Sequence, residues 1–223
     1  MSDKHIIRRG LAKLALDYET GQKTSNFITS NIGVVLNGVE NIPKSGPAII
    51  AANHESILDI LLFARITHRY IHFIAKKELF EVDAIYGPWL AKTISNCFAM
   101  PIDRNNPSAS QIKEYMSQLK QNHVLAVFPE GTRKRGLHEF HGLVGLLAYN
   151  KNIPIIPTGI IGSKDAQEHW FESPYVEVNF GGAMYCNSQS PKKRGIEKKK
   201  TIDNFTIKLN DRVAELMRYD KSA

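Results

Sequence analysis

His54 and Asp59 stand five positions apart in Asn53-His54-Glu55-Ser56-Ile57-Leu58-Asp59, directly after the apolar run Ala48-Ile49-Ile50-Ala51-Ala52. On one continuous helix that spacing points the two side chains to different faces. With His54 in a strand-to-helix loop and Asp59 in the first helical turn, the side chains can meet. A carboxylate bonded to one imidazole nitrogen fixes the tautomer and leaves the other nitrogen to take a proton, the base half of a catalytic triad. The same residues also have a plainer reading. Ser56-x-x-Asp59 matches the opening of a helix, where Asp59 would only bond the first turn.

A second group follows the apolar run from Val124 to Phe128: Phe128-Pro129-Glu130-Gly131-Thr132-Arg133. Proline and glycine bracket an acid in a tight turn, and the planar fork of Arg133 suits a phosphate or carboxylate. Further cations follow two other predicted strands, Lys77 in Lys76-Lys77-Glu78-Leu79 and Arg104 in Pro101-Ile102-Asp103-Arg104. At the ends of adjacent strands such cations would make a pocket for a phosphate head group. Each taken alone reads as a solvated surface charge.

These groups need a scaffold that gathers strand ends. Apolar runs predict strands at Val34-Val35-Leu36, Pro47 to Ala52, Ile71 to Ala75, Cys97 to Ile102, Val124 to Phe128, Ile153 to Ile161 and Tyr175 to Phe180. A helix is expected from near Ser56 through Leu62. Another is expected after a cap at Asn106-Pro107, with Ala109, Ile112, Tyr115, Met116 and Leu119 at helical spacing. A last helix carries Ile202, Phe205, Leu209, Val213, Leu216 and Met217 on one face. The basic run before it (Lys192, Lys193, Arg194, Lys198, Lys199 and Lys200) reads as a solvated loop in preference to a phospholipid or cofactor contact. Strands alternating with helices in this order predict a single α/β domain with a mixed, partly parallel sheet flanked by helices. In such sheets the working residues sit on loops at strand ends.

Ahead of this domain, Lys4 to Asp17 places Ile7, Leu11 and Leu14 on one helical stripe with Ile6 beside it, against Lys4, Arg8, Arg9 and Lys13. A basic amphipathic helix of this kind lies on a membrane surface, or packs on its own domain with a solvated basic face; both readings fit. The chain accordingly divides into a membrane-surface segment, residues 1–30, and a domain of residues 31–223.

The bulk numbers agree with one globular domain: 223 residues, 43% hydrophobic and 23% charged. The net charge of +7 favours a polyanionic partner, nucleic acid or an anionic membrane face. No aromatic-rich RNA motif, helix-turn-helix pattern or zinc-knuckle spacing speaks for nucleic acid. Cys97 and Cys186 form no metal-binding pattern and read as buried thiols in a reducing compartment. No apolar stretch reaches the ~20 residues of a spanning helix, and no signal-peptide core opens the chain. The expectation is a protein at the cytoplasmic face of a membrane, peripheral or monotopic.

Asn53-His54-x-x-x-x-Asp59, the stretch from Lys77-Glu78-Leu79 to Arg104, Phe128-Pro129-Glu130-Gly131-Thr132-Arg133, and Ile155-Ile156-Pro157 resemble the four ordered blocks of the glycerolipid acyltransferases. Gly38-Val39-Glu40-Asn41-Ile42-Pro43 resembles the approach to the first block, so the likeness runs over roughly residues 34 to 165. It is greatest to the bacterial 1-acylglycerol-3-phosphate branch. The resemblance implies transfer of a fatty-acyl group from acyl-coenzyme A or acyl carrier protein to the free hydroxyl of a lysophosphatidate, giving phosphatidate. Glycerol 3-phosphate, a lyso-ornithine lipid or another lysophospholipid remain as alternative acceptors. A non-enzymatic lipid or nucleic-acid binder would need neither His54 nor Asp59 in this arrangement.

By the same resemblance His54 is the general base and Asp59 its orienting partner. Glu130, Gly131, Thr132 and Arg133 bind the acceptor, with Arg133 on the phosphate and Arg104 and Lys77 as further phosphate partners. Neither cofactor nor metal is expected, and the absence of a Gly-x-Ser-x-Gly elbow fits a ternary complex without an acyl-enzyme. There is one departure. Where the family often has Phe-Lys after the third block, this chain has Phe140-His141.

Overall fold

The structure is a computed structural model; it describes residue 23 and residues 29–66, 69–76, 99–102, 108–120, 123–149, 152–169, 172, 174–186 and 195–217. The amphipathic stretch of residues 4–17, Cys97, Arg104, Lys77 and Lys192 to Arg194 lie outside the described residues.

Seven strands follow in chain order: β1 (Gly33–Asn37), β2 (Ala48–Ala52), β3 (Ile71–Lys76), β4 (Ala99–Ile102), β5 (Val124–Val127), β6 (Ile155–Ile161) and β7 (Tyr175–Phe180). They form one sheet in the order β1-β7-β6-β2-β5-β3-β4. The five strands β6, β2, β5, β3 and β4 run parallel, while β7 is antiparallel to β6 and carries β1 parallel to itself. Five α-helices are described: α1 (Leu58–Ile66), α2 (Ala109–Lys120), α3 (Leu143–Tyr149), α4 (Ser163–Glu168) and α5 (Gly195–Met217). A single α/β domain with a mixed sheet flanked by helices is thus what the sequence encodes.

The central strand β2 is Ala-Ile-Ile-Ala-Ala, buried at every position, because a parallel strand covered on both faces has no solvent side to reward a polar residue. Its alternate side chains enter two cores. Ala48, Ile50 and Ala52 face a layer that includes α1, where Leu58, Ile60, Leu62 and Phe63 are buried. Ile49 and Ala51 face the opposite layer with Tyr115 of α2, Val144 and Leu147 of α3, and Phe205, Leu209 and Val213 of α5. The spacing of those α5 residues is the 3–4 residue period of an amphipathic helix. α5 approaches β6 so closely that a Cβ on Gly159 would stand 2.8 Å from the backbone carbon of Leu216.

Three features depart from the expectations or add to them. Lys198, Lys199 and Lys200 belong to the first turns of α5 and not to a loop before it. Glu-Lys-Lys-Lys is a good helix former, and the Lys198 ammonium lies over the Tyr149 ring, 5.1 Å from its centroid. Secondly, Asn106 and Pro107 lie outside the described residues, and the cap described at the start of α2 is Ser108: its hydroxyl accepts from the Gln111 amide at 3.2 Å, and its own amide donates to Gln111 Oε1 at 2.9 Å. Finally, α3 and α4 have only seven and six residues, too short to leave a periodic signature in the sequence.

Candidate active site

Parallel neighbours end on the same edge of a sheet, so the segments after β2, β5 and β6 open together. In the β2–β5 register Ala51 faces Val127, and the same register carried beyond the strands sets His54 against Glu130. That is why two motifs more than seventy residues apart share one site.

Asn53 makes the turn out of β2. Its side-chain amide donates to the Ile160 carbonyl at 2.9 Å and accepts from the Ile160 amide at 2.7 Å. The side chain, fully buried, thereby extends the β2–β6 ladder by one rung while the backbone leaves the sheet. His54 follows. Its Nδ1 is 2.7 Å from Asp59 Oδ2, and its ring is stacked on Phe128 with centroids 4.0 Å apart and planes at 16°. With Nδ1–H donating to the carboxylate, Nε2 keeps its lone pair for a proton.

Asp59 is itself held by the turn. Oδ2 also accepts from the backbone amides of Glu55 and Ser56, each at 3.0 Å, while Oδ1 has no hydrogen-bond partner among the described residues. Ser56 caps α1 by accepting from the Leu58 amide at 3.1 Å and donates its hydroxyl to Gln167 of α4 at 2.6 Å. Both contacts that Ser56-x-x-Asp59 suggested are therefore present. The carboxylate that closes the helix opening also orients the imidazole.

After β5 the chain turns tightly, with the Gly131 amide donating to the Phe128 carbonyl at 3.1 Å. Glu130 is only 3% exposed, and neither carboxyl oxygen has a hydrogen-bond partner among the described residues. Burial pushes its pKa up to about 8, helped by the Glu55 and Asp59 charges and opposed by the nearby backbone amides of His138 and His54. Thr132 and Arg133 are exposed. Beside this turn opens a cavity of about 400 Å³. Ile74, Val127, Phe128 and Leu143 form apolar walls; Glu130, Gly131, Thr132 and His141 supply its polar part.

The structure thus joins His54 and Asp59, and brings Glu130, Gly131, Thr132 and His141 to an adjoining cavity. Arg133 stands on the rim loop, whereas the placement of Lys77 and Arg104 lies outside the described residues. Sequence reasoning missed the work of Asn53, Glu55 and Phe128. Asn53 and Phe128 stand in the motifs as letters, but side-chain ladder bonds and ring stacking have no periodic signal. Among the described residues no group of three or more His, Cys, Asp or Glu is placed to hold a metal ion.

The chain is similar in sequence and fold to known proteins. The acyltransferase family model matches residues 33–161, more than half of the chain. A 1-acyl-sn-glycerol-3-phosphate acyltransferase of Bacillus subtilis is 28% identical over 186 residues, covering 82% of this chain and 88% of its own length. A probable enzyme of the same description from Mycoplasma pneumoniae is 34% identical over 146 residues, 61% of this chain and 52% of its own. The crystal structure of the 1-acyl-sn-glycerophosphate acyltransferase of Thermotoga maritima superposes with a TM-score of 0.64 at 22% identity, covering 100% of this chain and 86% of that one, a likeness of fold.

Proposed function

The chain belongs to the acyltransferase family, and on that premise we propose that it acylates the free hydroxyl of a lysophosphatidate to give phosphatidate. The donor is a fatty-acyl thioester of coenzyme A or acyl carrier protein. The observation that carries the reading is the His54–Asp59 pair at 2.7 Å, stacked on Phe128 beside a cavity with both apolar and polar walls. Relatives described as 1-acyl-sn-glycerol-3-phosphate acyltransferases support the acceptor.

Nε2 of His54 takes the proton of the acceptor hydroxyl as its oxygen attacks the thioester carbonyl. Asp59 holds the Nδ1–H and stabilises the imidazolium that forms. The tetrahedral intermediate collapses with cleavage of the C–S bond, and the imidazolium returns the proton to the departing thiolate. No protein nucleophile is acylated, so both substrates must be bound together. Arg133, with Thr132 and Gly131 on the same turn, anchors the acceptor phosphate; Lys77 and Arg104, which follow β3 and β4 in the sequence, assist it. Glu130, held neutral by burial, can donate a hydrogen bond to an acceptor oxygen. The apolar walls take acyl methylenes, each worth about 0.8 kcal/mol when withdrawn from water.

The work is done at an anionic membrane surface, its cytoplasmic face, to which the net charge of +7 and the basic residues Lys4, Arg8, Arg9 and Lys13 are suited. Purified protein with palmitoyl-coenzyme A and oleoyl-lysophosphatidate in mixed micelles should release thiol and form phosphatidate in equal amounts. Thiol release without phosphatidate would contradict the acceptor, and a panel of glycerol 3-phosphate and other lysophospholipids would identify the true one.

A further inference from the structure

Glu55 lies between the base and its carboxylate in sequence, yet its own side chain turns away from both. Its Oε1 accepts the backbone N–H of Gly136 at 2.7 Å, across 81 residues of sequence. Alongside it, the Lys134 amide donates to the His54 carbonyl at 3.2 Å. Two bonds therefore fasten residues 134–136 onto His54-Glu55, immediately after Arg133. The Glu55 backbone is fixed in turn, because its amide donates to Asp59 Oδ2.

Gly136 adopts a φ of +81°, and a Cβ there would meet no atom within 4 Å. The glycine is required by the backbone and not by space: a left-handed residue turns the chain at this point, next to the N–H that Glu55 receives. On its far side the loop is tied by Arg135, which reaches Asp165 at 2.9 Å and Glu168 at 3.3 Å. Those side chains are well exposed, and ion pairs of that kind hold weakly. The bond from a half-buried carboxylate to a backbone amide is charge-assisted and is the firmer tether.

We propose that Glu55 is a positioning residue for acceptor binding: its carboxylate clamps the 131–136 loop to the turn that carries His54, so that Arg133 and the base hold a fixed separation. The proposal rests on the acyl-transfer reading above. A lysophosphatidate acylated at one end of the glycerol carries the phosphate and the reacting hydroxyl on adjacent carbons, a short and nearly fixed span. Its affinity therefore depends on that separation, whereas that of the thioester donor does not.

Kinetics and hydrogen exchange on the full chain test this separately. Glu55→Ala should raise the KM for lysophosphatidate about tenfold, the loss of one charge-assisted bond, with donor KM and kcat within about threefold. Glu55→Gln keeps an acceptor oxygen and should restore most of the affinity. Glu55→Asp keeps the charge but withdraws the oxygen, and should behave as the alanine variant; it replaces that variant if alanine does not fold. In an Arg133→Ala background Glu55→Ala should add no further rise, because the clamp acts through Arg133. An unchanged acceptor KM, equal rises for both substrates, or a full additional rise without Arg133 would overturn the proposal. Amide exchange decides the clamp whether or not lysophosphatidate is the acceptor. The Gly136 N–H should be protected in the native chain and exchange much faster in Glu55→Ala, and equal rates would refute it. An inactive native chain with a protected Gly136 would instead count against the acceptor.

Discussion

At the scale of single residues, Asp59 has two tasks that one substitution can separate. In Asp59→Asn the remaining oxygen can still accept the Glu55 and Ser56 amides, but an amide no longer enforces the Nδ1–H tautomer of His54. The fold should persist and kcat should fall by about 10²–10⁴, measured beside a melting curve. Loss of kcat only in proportion to lost folded protein would mean that Asp59 is a cap and nothing more. Glu130 gives a prediction with a definite sign. Its pKa rises from 4.5 to about 8 on folding, so between those values the unfolded chain releases a proton that the native chain keeps. Stability from this group is present below pH 4.5 and is lost as pH rises toward 8. Glu130→Gln should therefore gain on the native chain in urea midpoint as pH is raised from 5 to 8, by at most about 1.4 kcal/mol for each step of one in pH. A pH-independent difference would show that the buried carboxyl is not the cause. His54 and Asp59 were legible in sequence because their chemistry constrains residue type and order together. Glu55 was not, since its partner is a backbone amide that any residue but proline supplies.

At the scale of elements, the site depends on three parallel strands ending together. Asn53 fastens two of them by exchanging both its hydrogen bonds with Ile160. Asn53→Leu would strand the buried amide and carbonyl of Ile160, at a cost of about 1–3 kcal/mol for each unsatisfied group. Urea unfolding should show a loss in that range, and kcat should fall as well because His54 follows Asn53 directly. Retained stability would mean that water or a shifted backbone replaces the rung. The strands themselves were readable: β2, β5 and β6 are short apolar runs closed by polar or proline-containing motifs, and β7 alternates apolar and polar residues, although Glu177 and Asn179 are buried too. Their order in the sheet was not. Nothing in Ala48–Ala52 or Val124–Val127 declares that they are neighbours, since pairing is decided by the packing of helices on both faces. The basic start of α5 was read as a loop for a related reason: a lysine run carries no apolar mark of the helix it begins.

At the scale of the whole molecule, no helix among the described residues is long and apolar enough to cross a membrane. The proposed substrates reside in bilayers, and the proposed route to them is attraction of the basic N-terminal stretch to an anionic surface. Replacing Lys4, Arg8, Arg9 and Lys13 with glutamine should weaken binding to vesicles rich in anionic lipid, by about 1 kcal/mol per charge near the surface. The deficit should shrink as salt is added, because surface charges are screened over about 10 Å at 0.1 M. A sedimentation assay with equal binding by both proteins would place the anchor elsewhere on the chain. Composition could indicate the sign of the partner; the choice of a membrane over nucleic acid came from the motifs.

The dyad's role is decided most directly by the turnover of His54→Ala with lysophosphatidate and acyl-coenzyme A both saturating. Asn53, Glu55 and Phe128 remain in that variant, so the cavity and the acceptor loop should persist and the KM values should stay within a fewfold of native. If His54 is the base, kcat falls by about 10²–10⁴ and thiol and phosphatidate decline together. A kcat within a few-fold of native, in a protein that still melts cooperatively, would contradict it.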